Sequence, residues 1–338
     1  MNDGSKSDTE RLAALVRGFA GRRVVVLGDL IADQFVSGEI SRVSREAPVM
    51  ILRHERTETV PGGAANCAMN LAALGARAAI VGVVGDDAAG RGLLERLEAS
   101  GVDCSGVVVA PEHSTTTKVR ILAGHAHSTR QQVVRLDYES APLSNEGILA
   151  DIAANVGAAF AESEAAVVSD YNYGVACEAT VAPLRSVERR APVVVDSRFR
   201  MREFAGFHSA TPNEDEVEQV AGRRFEGAEE LVIEGERLRA ELNYKALLVT
   251  RGKHGMLLLE DGAQPLHLDA VGSHDAVDVT GAGDTVIATY ALALASGADH
   301  ATAARLANHA GGVVVLKRGT ACVYPHELLA SLEHEGQI

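Results

Sequence analysis

Apolar and polar positions alternate along the chain in two distinct regimes. Val24-Val25-Val26-Leu27, just before Gly28-Asp29, is a continuous apolar run of strand length, the pattern of a strand covered on both faces. Gly62-Gly63 opens a helical stretch through Leu74, with Gly75 placed to close it. A strand over 78–84, a helix over 88–100 and a strand over 106–109 follow. Further on, strands over 165–169, 193–196, 208–211 and 246–250 alternate with helical segments, and 286–295 reads as a helix. This order predicts an α/β fold with a mostly parallel central sheet. The second regime is less buried. Residues 34–59 carry short alternating runs, many charges and Pro48, while 115–123 and 131–136 flank the turn Gly124-His125-Ala126-His127-Ser128. These predict a small sheet outside the main core. The start, Met1 to Glu10, is polar and reads as a loose tail leading into a short amphipathic helix around Leu12 to Phe19.

Composition narrows the class. The 338 residues are 46% hydrophobic and 23% charged, with 4% aromatic residues and no Trp. Packing therefore rests on Ala, Val and Leu, as in a helix-covered parallel sheet. Cys67, Cys104, Cys177 and Cys322 sit singly, which argues against a zinc site or a disulfide framework and fits a reducing cytoplasm. A formal net charge of −14 argues against nucleic acid as a partner. No apolar run reaches membrane-spanning length and no signal-peptide core stands at the start, so the expected location is cytoplasmic, with no membrane partner.

Two common nucleotide-binding designs are missing. There is no G-x-x-x-x-G-K-[ST] loop, and the first strand lacks a following G-x-G-x-x-G. The strongest chemical signal is instead Asp278-Val279-Thr280-Gly281-Ala282-Gly283-Asp284-Thr285, followed by an alanine-rich helix. Bare amides at a helix N-terminus bind anions, because unpaired donors and the positive dipole end point the same way. Asp284 suits a base that takes a hydroxyl proton while the amides of Ala282 and Gly283 hold charge on a transferred phosphoryl group. The same residues also read as an ordinary Asp/Thr helix cap after a glycine turn. Gly28-Asp29, Ser169-Asp170, Asp196, Thr211-Pro212-Asn213 and Thr250-Arg251-Gly252 all end predicted strands, where parallel sheets bind ligands.

Gly62-Gly63-Ala64-Ala65-Asn66, Thr211-Pro212-Asn213-Glu214-Asp215-Glu216 and Thr280-Gly281-Ala282-Gly283-Asp284, in that order, resemble the ribokinase-like (PfkB) carbohydrate kinase family over about residues 20–330. Ser41 to Val49, Pro61 to Asn66, Val134-Arg135-Leu136-Asp137, Ser169-Asp170-Tyr171 and Asp278 to Ile287 are most similar to its heptose-7-phosphate kinase branch. The resemblance implies a three-layer ribokinase-like domain over 21–334 with a β-sheet lid from about 34–60 and 114–137. It implies a stand-alone, ATP- and Mg2+-dependent sugar kinase that pairs through the lid into a homodimer. Asp284 is then the base, and the amides of Gly281, Ala282 and Gly283 form the anion hole.

By the same resemblance, Asp33, Gly63 and Asn66 meet sugar hydroxyls, joined by Asp29, Gly62 and Asp170. Asn213 and Glu216 order Mg2+ and its waters, although an acidic first helical turn after Pro212 is an equally ordinary reading. Thr250, Gly252 and Asn308 hold the nucleotide, and Asp278 with Thr280 matches a monovalent-cation loop, for K+. Arg45, Lys118, Arg120 and Arg135 are candidates for a second phosphate on the substrate, with Arg198 and Arg202 as further ones. His125 and His127 have no third ligand in view and read as an exposed turn. Two positions depart from the heptose branch: Tyr173 stands where Lys is usual, and Ser197-Arg198 where Pro-Lys is usual. The alternatives are a kinase for a ketose phosphate, ribose or a nucleoside, and a sugar- or nucleotide-binding regulator without turnover.

Overall fold

The computed structural model describes residues 3–124, 130–185, 191–272 and 276–335, so His125 and His127 lie outside the described residues. Its strands are β1 (Arg23–Gly28), β2 (Leu30–Val43), β3 (Met50–Gly63), β4 (Arg77–Gly85), β5 (Asp103–Ala110), β6 (Thr117–Gly124), β7 (Gln131–Tyr138), β8 (Ala165–Asp170), β9 (Val193–Ser197), β10 (Ser209–Ala210), β11 (Ala246–Thr250), β12 (Met256–Glu260) and β13 (Leu266–Leu268). The helices are α1 (Asp3–Arg17), α2 (Ala64–Ala73), α3 (Ala88–Ala99), α4 (Glu146–Glu162), α5 (Glu178–Val181), α6 (Glu214–Ala221), α7 (Ala228–Glu241), α8 (Ala282–Ala295), α9 (His300–Val314) and α10 (Pro325–Glu335).

Among the described residues the strands form two sheets. The large one runs β13-β12-β11-β10-β9-β8-β1-β4-β5, parallel from β11 through β5 and closed at the other edge by antiparallel β12 and β13. Successive side chains of a strand point to opposite faces. Val24 and Val26 of β1 accordingly enter one core cluster with α2, α8 and α9, whereas Val25 and Leu27 enter the other with α4 and α7. Two apolar faces on one strand explain the unbroken run in the sequence, and they make the three layers.

The second sheet runs β3-β2-β6-β7 and stands off the C-terminal end of β1, since β2 starts just two residues after β1 ends. β2 and β3 are antiparallel, β2 and β6 parallel, β6 and β7 antiparallel. This is the lid. β7 is exposed along its whole length.

Three local expectations change. The antiparallel pair β12–β13 was not expected, because strands of five and three residues give too little periodicity to register. Strand pairing over 208–211 is confined to the two residues of β10. α1 begins at Asp3 rather than near Leu12: once Leu12 and Val16 are buried in the core, each preceding residue extends the helix at low cost.

Candidate active site

The α8 N-terminus divides two cavities. Gly281 is its N-cap, in the left-handed conformation (φ 76°) with no side-chain cap. A Cβ on Gly281 would fall 2.5 Å from Asn66 Nδ2, so this turn excludes any larger residue. Gly281 and Asp284 line a crevice of about 250 Å³ beneath the lid, shared with Asp33, Gly62, Gly63, Lys118, Arg120, Arg135, Tyr171, Arg198 and Thr280. Ala282 and Gly283 line the other cavity, of about 200 Å³, with Thr250, Gly252, Met256, Val271, Val286, Asn308 and Val315. The first cavity is polar and ionic. The second has apolar walls suited to a flat heterocycle.

Of the amides expected at the anion site, that of Ala282 donates to the Val279 carbonyl at 3.2 Å, whereas those of Gly281 and Gly283 take no such partner among the described residues. The tight turn that exposes the glycine amides draws the Ala282 donor back on itself. The amides left open at this turn are therefore those of Gly281 and Gly283.

Asp284 is buried yet faces the crevice. Its Oδ2 accepts from Asn66 Nδ2 at 2.8 Å, and its Oδ1 accepts from the Tyr171 hydroxyl at 3.0 Å. Burial pushes its pKa up to about 6, against the lowering effect of these two hydrogen bonds. Asp33 pairs with Arg120 at 2.5 Å, and its carboxylate lies against Gly62, where a Cβ would be 2.6 Å from Oδ2. Lys118 is 9% exposed and lies 5.7 Å and 5.8 Å from the ring centres of Tyr171 and Tyr173. Its pKa is lowered, first by burial and then by Arg135.

Three residues expected at the substrate, Asp29, Asp170 and Arg45, do not line the crevice. Asp29 does not line the crevice: its carboxylate accepts the backbone amides of Tyr171, Tyr173 and Val175 at 2.8, 3.1 and 3.2 Å. Burial carries its pKa to about 6. Asp170 is likewise enclosed, accepting from Ser197 Oγ at 2.7 Å and pairing with Arg200. Asn66 reaches Asp284 rather than the crevice wall. Arg45 is exposed, beyond the end of β2; the strand residues from Asp33 to Val43 alone span roughly 30 Å. Arg202 is also distant, on the outer surface beside Glu241.

Asn213 and Glu216, expected to order Mg2+, form a reciprocal capping box at the start of α6, each bond 2.8 Å long. The ordinary helix-start reading is thus realised, and Glu216 still lies near enough to act on the Asp196 charge. Burial pushes Glu216 up to about 7. Burial, then Glu216, Asp284 and Asp170, push Asp196 well above the usual carboxylate range. A Cβ on Gly283 would be 4.0 Å from Asp196 Oδ2, which places that carboxylate beside the first turn of α8. Asn308 lines the cavity but spends its Nδ2 on the Asp269 carbonyl at 2.7 Å. Asp278 clamps its loop, accepting from the amides of Thr280 and Gly319, both at 2.9 Å.

In the sequence Tyr171 carries no assignable role and Asp196 only ends a strand. Both stand in strand-end motifs, but nothing local to those motifs shows that they lie near Asp284.

Comparisons with known proteins bear on the family and the fold. The pfkB family carbohydrate kinase pattern matches residues 22–327. The Bifunctional protein HldE of Pseudomonas aeruginosa is 42% identical over 315 residues, covering 92% of this chain and 64% of its own length. That of Alcanivorax borkumensis is 42% identical over 324 residues, covering 95% and 66%. The chain thus spans about two thirds of these relatives. Among solved structures, Arabidopsis thaliana ribokinase complexed with ribose and ATP superposes with a TM-score of 0.68 at 22% identity, covering 93% of this chain and 99% of that one. Phosphofructokinase-2 from Escherichia coli in complex with substrates and products gives 0.74 at 18%, with the same coverage. At these identities the structures speak for the fold, which is ribokinase-like. The chain belongs to the pfkB family of carbohydrate kinases, phosphotransferases that act on a sugar hydroxyl.

Proposed function

We propose that this kinase transfers the γ-phosphoryl group of ATP to the 1-hydroxyl of D-glycero-β-D-manno-heptose 7-phosphate. The observation that carries the transfer is the division of residues 281–284 between two cavities, with Asp284 on the acceptor side and Gly283 on the nucleotide side. The similarity to HldE proteins supports the heptose, and the lysine and arginines of the crevice suit an acceptor that brings its own phosphate.

In this reading Asp284 takes the acceptor hydroxyl proton as the oxygen attacks the γ-phosphorus in line, and ADP leaves with the electron pair of the broken P–O bond. Amides of Gly281 and Gly283 hold the charge on the transferred group. The lid excludes water, the competing acceptor. Asp196 and Glu216, two carboxylates near enough that the charge of Glu216 raises the Asp196 pKa, would hold a Mg2+ largely through waters and phosphates. When bound, that ion neutralises charge on the triphosphate. Asp278, Thr280 and nearby backbone are the place for a monovalent cation, and the exposed face of β7 is the place for a second copy.

Departures from the heptose branch favour one competing reading, a kinase for a different sugar phosphate. Tyr173 donates its hydroxyl to Glu139 at 2.5 Å and so supplies no cation where the branch has Lys. ATP consumption across a panel of acceptors separates the two. Preference for heptose 7-phosphate is the expected result, and equal or greater turnover with a ketose phosphate, ribose or a nucleoside overturns it.

A further inference from the structure

The turn after β8 is built to deliver one side chain. Ser169-Asp170 ends the strand, and the chain reverses through Asn172 (φ 69°) and Gly174 (φ 93°). The buried Asp29 carboxylate gathers three amides of this turn, and Asp170 Oδ1 takes a fourth, from Asn172 at 3.1 Å. Two buried acids spent on backbone amides make the turn rigid. What it presents to the crevice is Tyr171, whose hydroxyl meets Asp284.

We infer that Tyr171 is a positioning residue for the transfer, holding the Asp284 carboxylate ionised and turned toward the acceptor hydroxyl. Asn66 takes one carboxylate oxygen and Tyr171 the other, so the carboxylate plane is fixed from two sides. Each oxygen keeps a lone pair for the crevice. A donor to a carboxylate favours its charged form, which opposes the burial of Asp284. The phenol itself stays protonated, because burial and the adjacent Asp284 push its own ionisation far above the neutral range. Other groups facing Asp284 are Asp33 from β2, Lys118 from β6, Asp196 from β9 and the Cys67 thiol from α2. Lys118 favours the carboxylate, the two acids disfavour it, and the thiol stays neutral because burial raises its pKa. Without Tyr171, Asn66 is the single remaining hydrogen-bond donor to this side chain among the described residues.

The inference rests on Asp284 being the base, and the pH dependence of kcat tests it in the full-length chain with ATP and the best acceptor of the panel. Tyr171→Phe should move the acid limb of kcat upward by about one pH unit, the size of one hydrogen bond to a charged group, with KM for ATP unchanged. A purely structural tyrosine would lower kcat equally at every pH. Replacing Tyr171 by 3,5-difluorotyrosine keeps the shape and strengthens the donor, so the limb should move downward; this variant decides the matter if the phenylalanine form does not fold. A limb that stays in place in the fluorinated enzyme overturns the inference. Asp284→Asn separates the two levels: normal turnover removes the base and this role together, whereas an inactive variant with an unmoved Tyr171 limb removes Tyr171 alone.

Discussion

Asn66 donates to Asp284 at 2.8 Å across 218 positions of sequence, tying the first turn of α2 to the first turn of α8. The contact is itself oriented. Asn70 Nδ2 donates to the Asn66 carbonyl oxygen atoms of backbone and side chain at 3.0 and 3.2 Å, and Thr285 Oγ1 donates to Asn70 Oδ1 at 3.1 Å. That chain settles which end of the Asn66 amide faces the acid. We predict that Asn66→Ala lowers kcat by roughly ten- to a hundredfold, the scale of a misplaced catalytic group, with KM for ATP unchanged. Initial rates at saturating ATP check this, and a changed ATP KM with full kcat would count against it.

For the acid itself the expected loss is larger. Asp284→Asn keeps the shape but removes the proton acceptor, so kcat should fall by about 10²–10⁴ while nucleotide binding persists. Calorimetric titration with a non-hydrolysable ATP analogue, beside steady-state rates, separates the two effects.

The pH dependence follows from the Asp284 value of about 6, raised from 3.8 by burial. A base works when ionised, so kcat should fall as pH drops through about 6 and level off above it. For stability the sign is opposite. A carboxyl whose folded pKa exceeds its unfolded one stabilises the fold below the unfolded value, and that contribution is lost as pH rises through the folded value. Replacing Asp284 by Asn should therefore shift Tm in the variant's favour as pH rises from about 4 to 7. Melting curves of both proteins across that window test the sign.

Arg120 and Asp33 form a mostly buried ion pair at 2.5 Å, with side chains 14% and 7% exposed. Removing one partner strands the other charge. Arg120→Met should destabilise the fold by about 3 kcal/mol or somewhat less, given the residual exposure, and the double variant with Asp33→Asn should recover part of it. Denaturant unfolding of the four proteins gives the coupling energy; simple additivity would show that the pair is not coupled.

The outer face of β7 carries Val134, Leu136 and Tyr138, exposed by 46%, 44% and 60%, while Arg135 between them lines the crevice. Alternation along the strand puts the apolar side chains on the face away from the substrate. If that face pairs two copies through their lids, Leu136→Glu should yield monomers with a raised KM for the acceptor. Sedimentation velocity reads the first outcome; an unchanged assembly would exclude this face.

Much of the molecule was legible beforehand. The apolar runs at 24–27, 165–168 and 246–249 are strands because each alternate residue enters a different core cluster, and a run without polar breaks has no other stable placement. The cap at Asn213 and the turn at Gly281 could be read because capping groups and missing side chains act within four residues. The edge pair β12–β13 was lost because its strands are too short to show a period.

What the amino-acid order settled alone is most of the core strands and helices, the layering of helices on a parallel sheet, and the bare helix start that ends in Asp284. Those depend on local periodicity, capping and the absence of Cβ atoms. Which donors reach Asp284, the burial of Asp29 and Asp170 against backbone amides, and the placing of Arg45 outside the crevice were decided by the tertiary structure. β1, β8 and β9 lie side by side in the sheet, so their C-terminal ends bring together residues more than a hundred positions apart. Whether an acid there meets a sugar, a neighbouring turn or another acid is set by that adjacency, which no window of sequence contains.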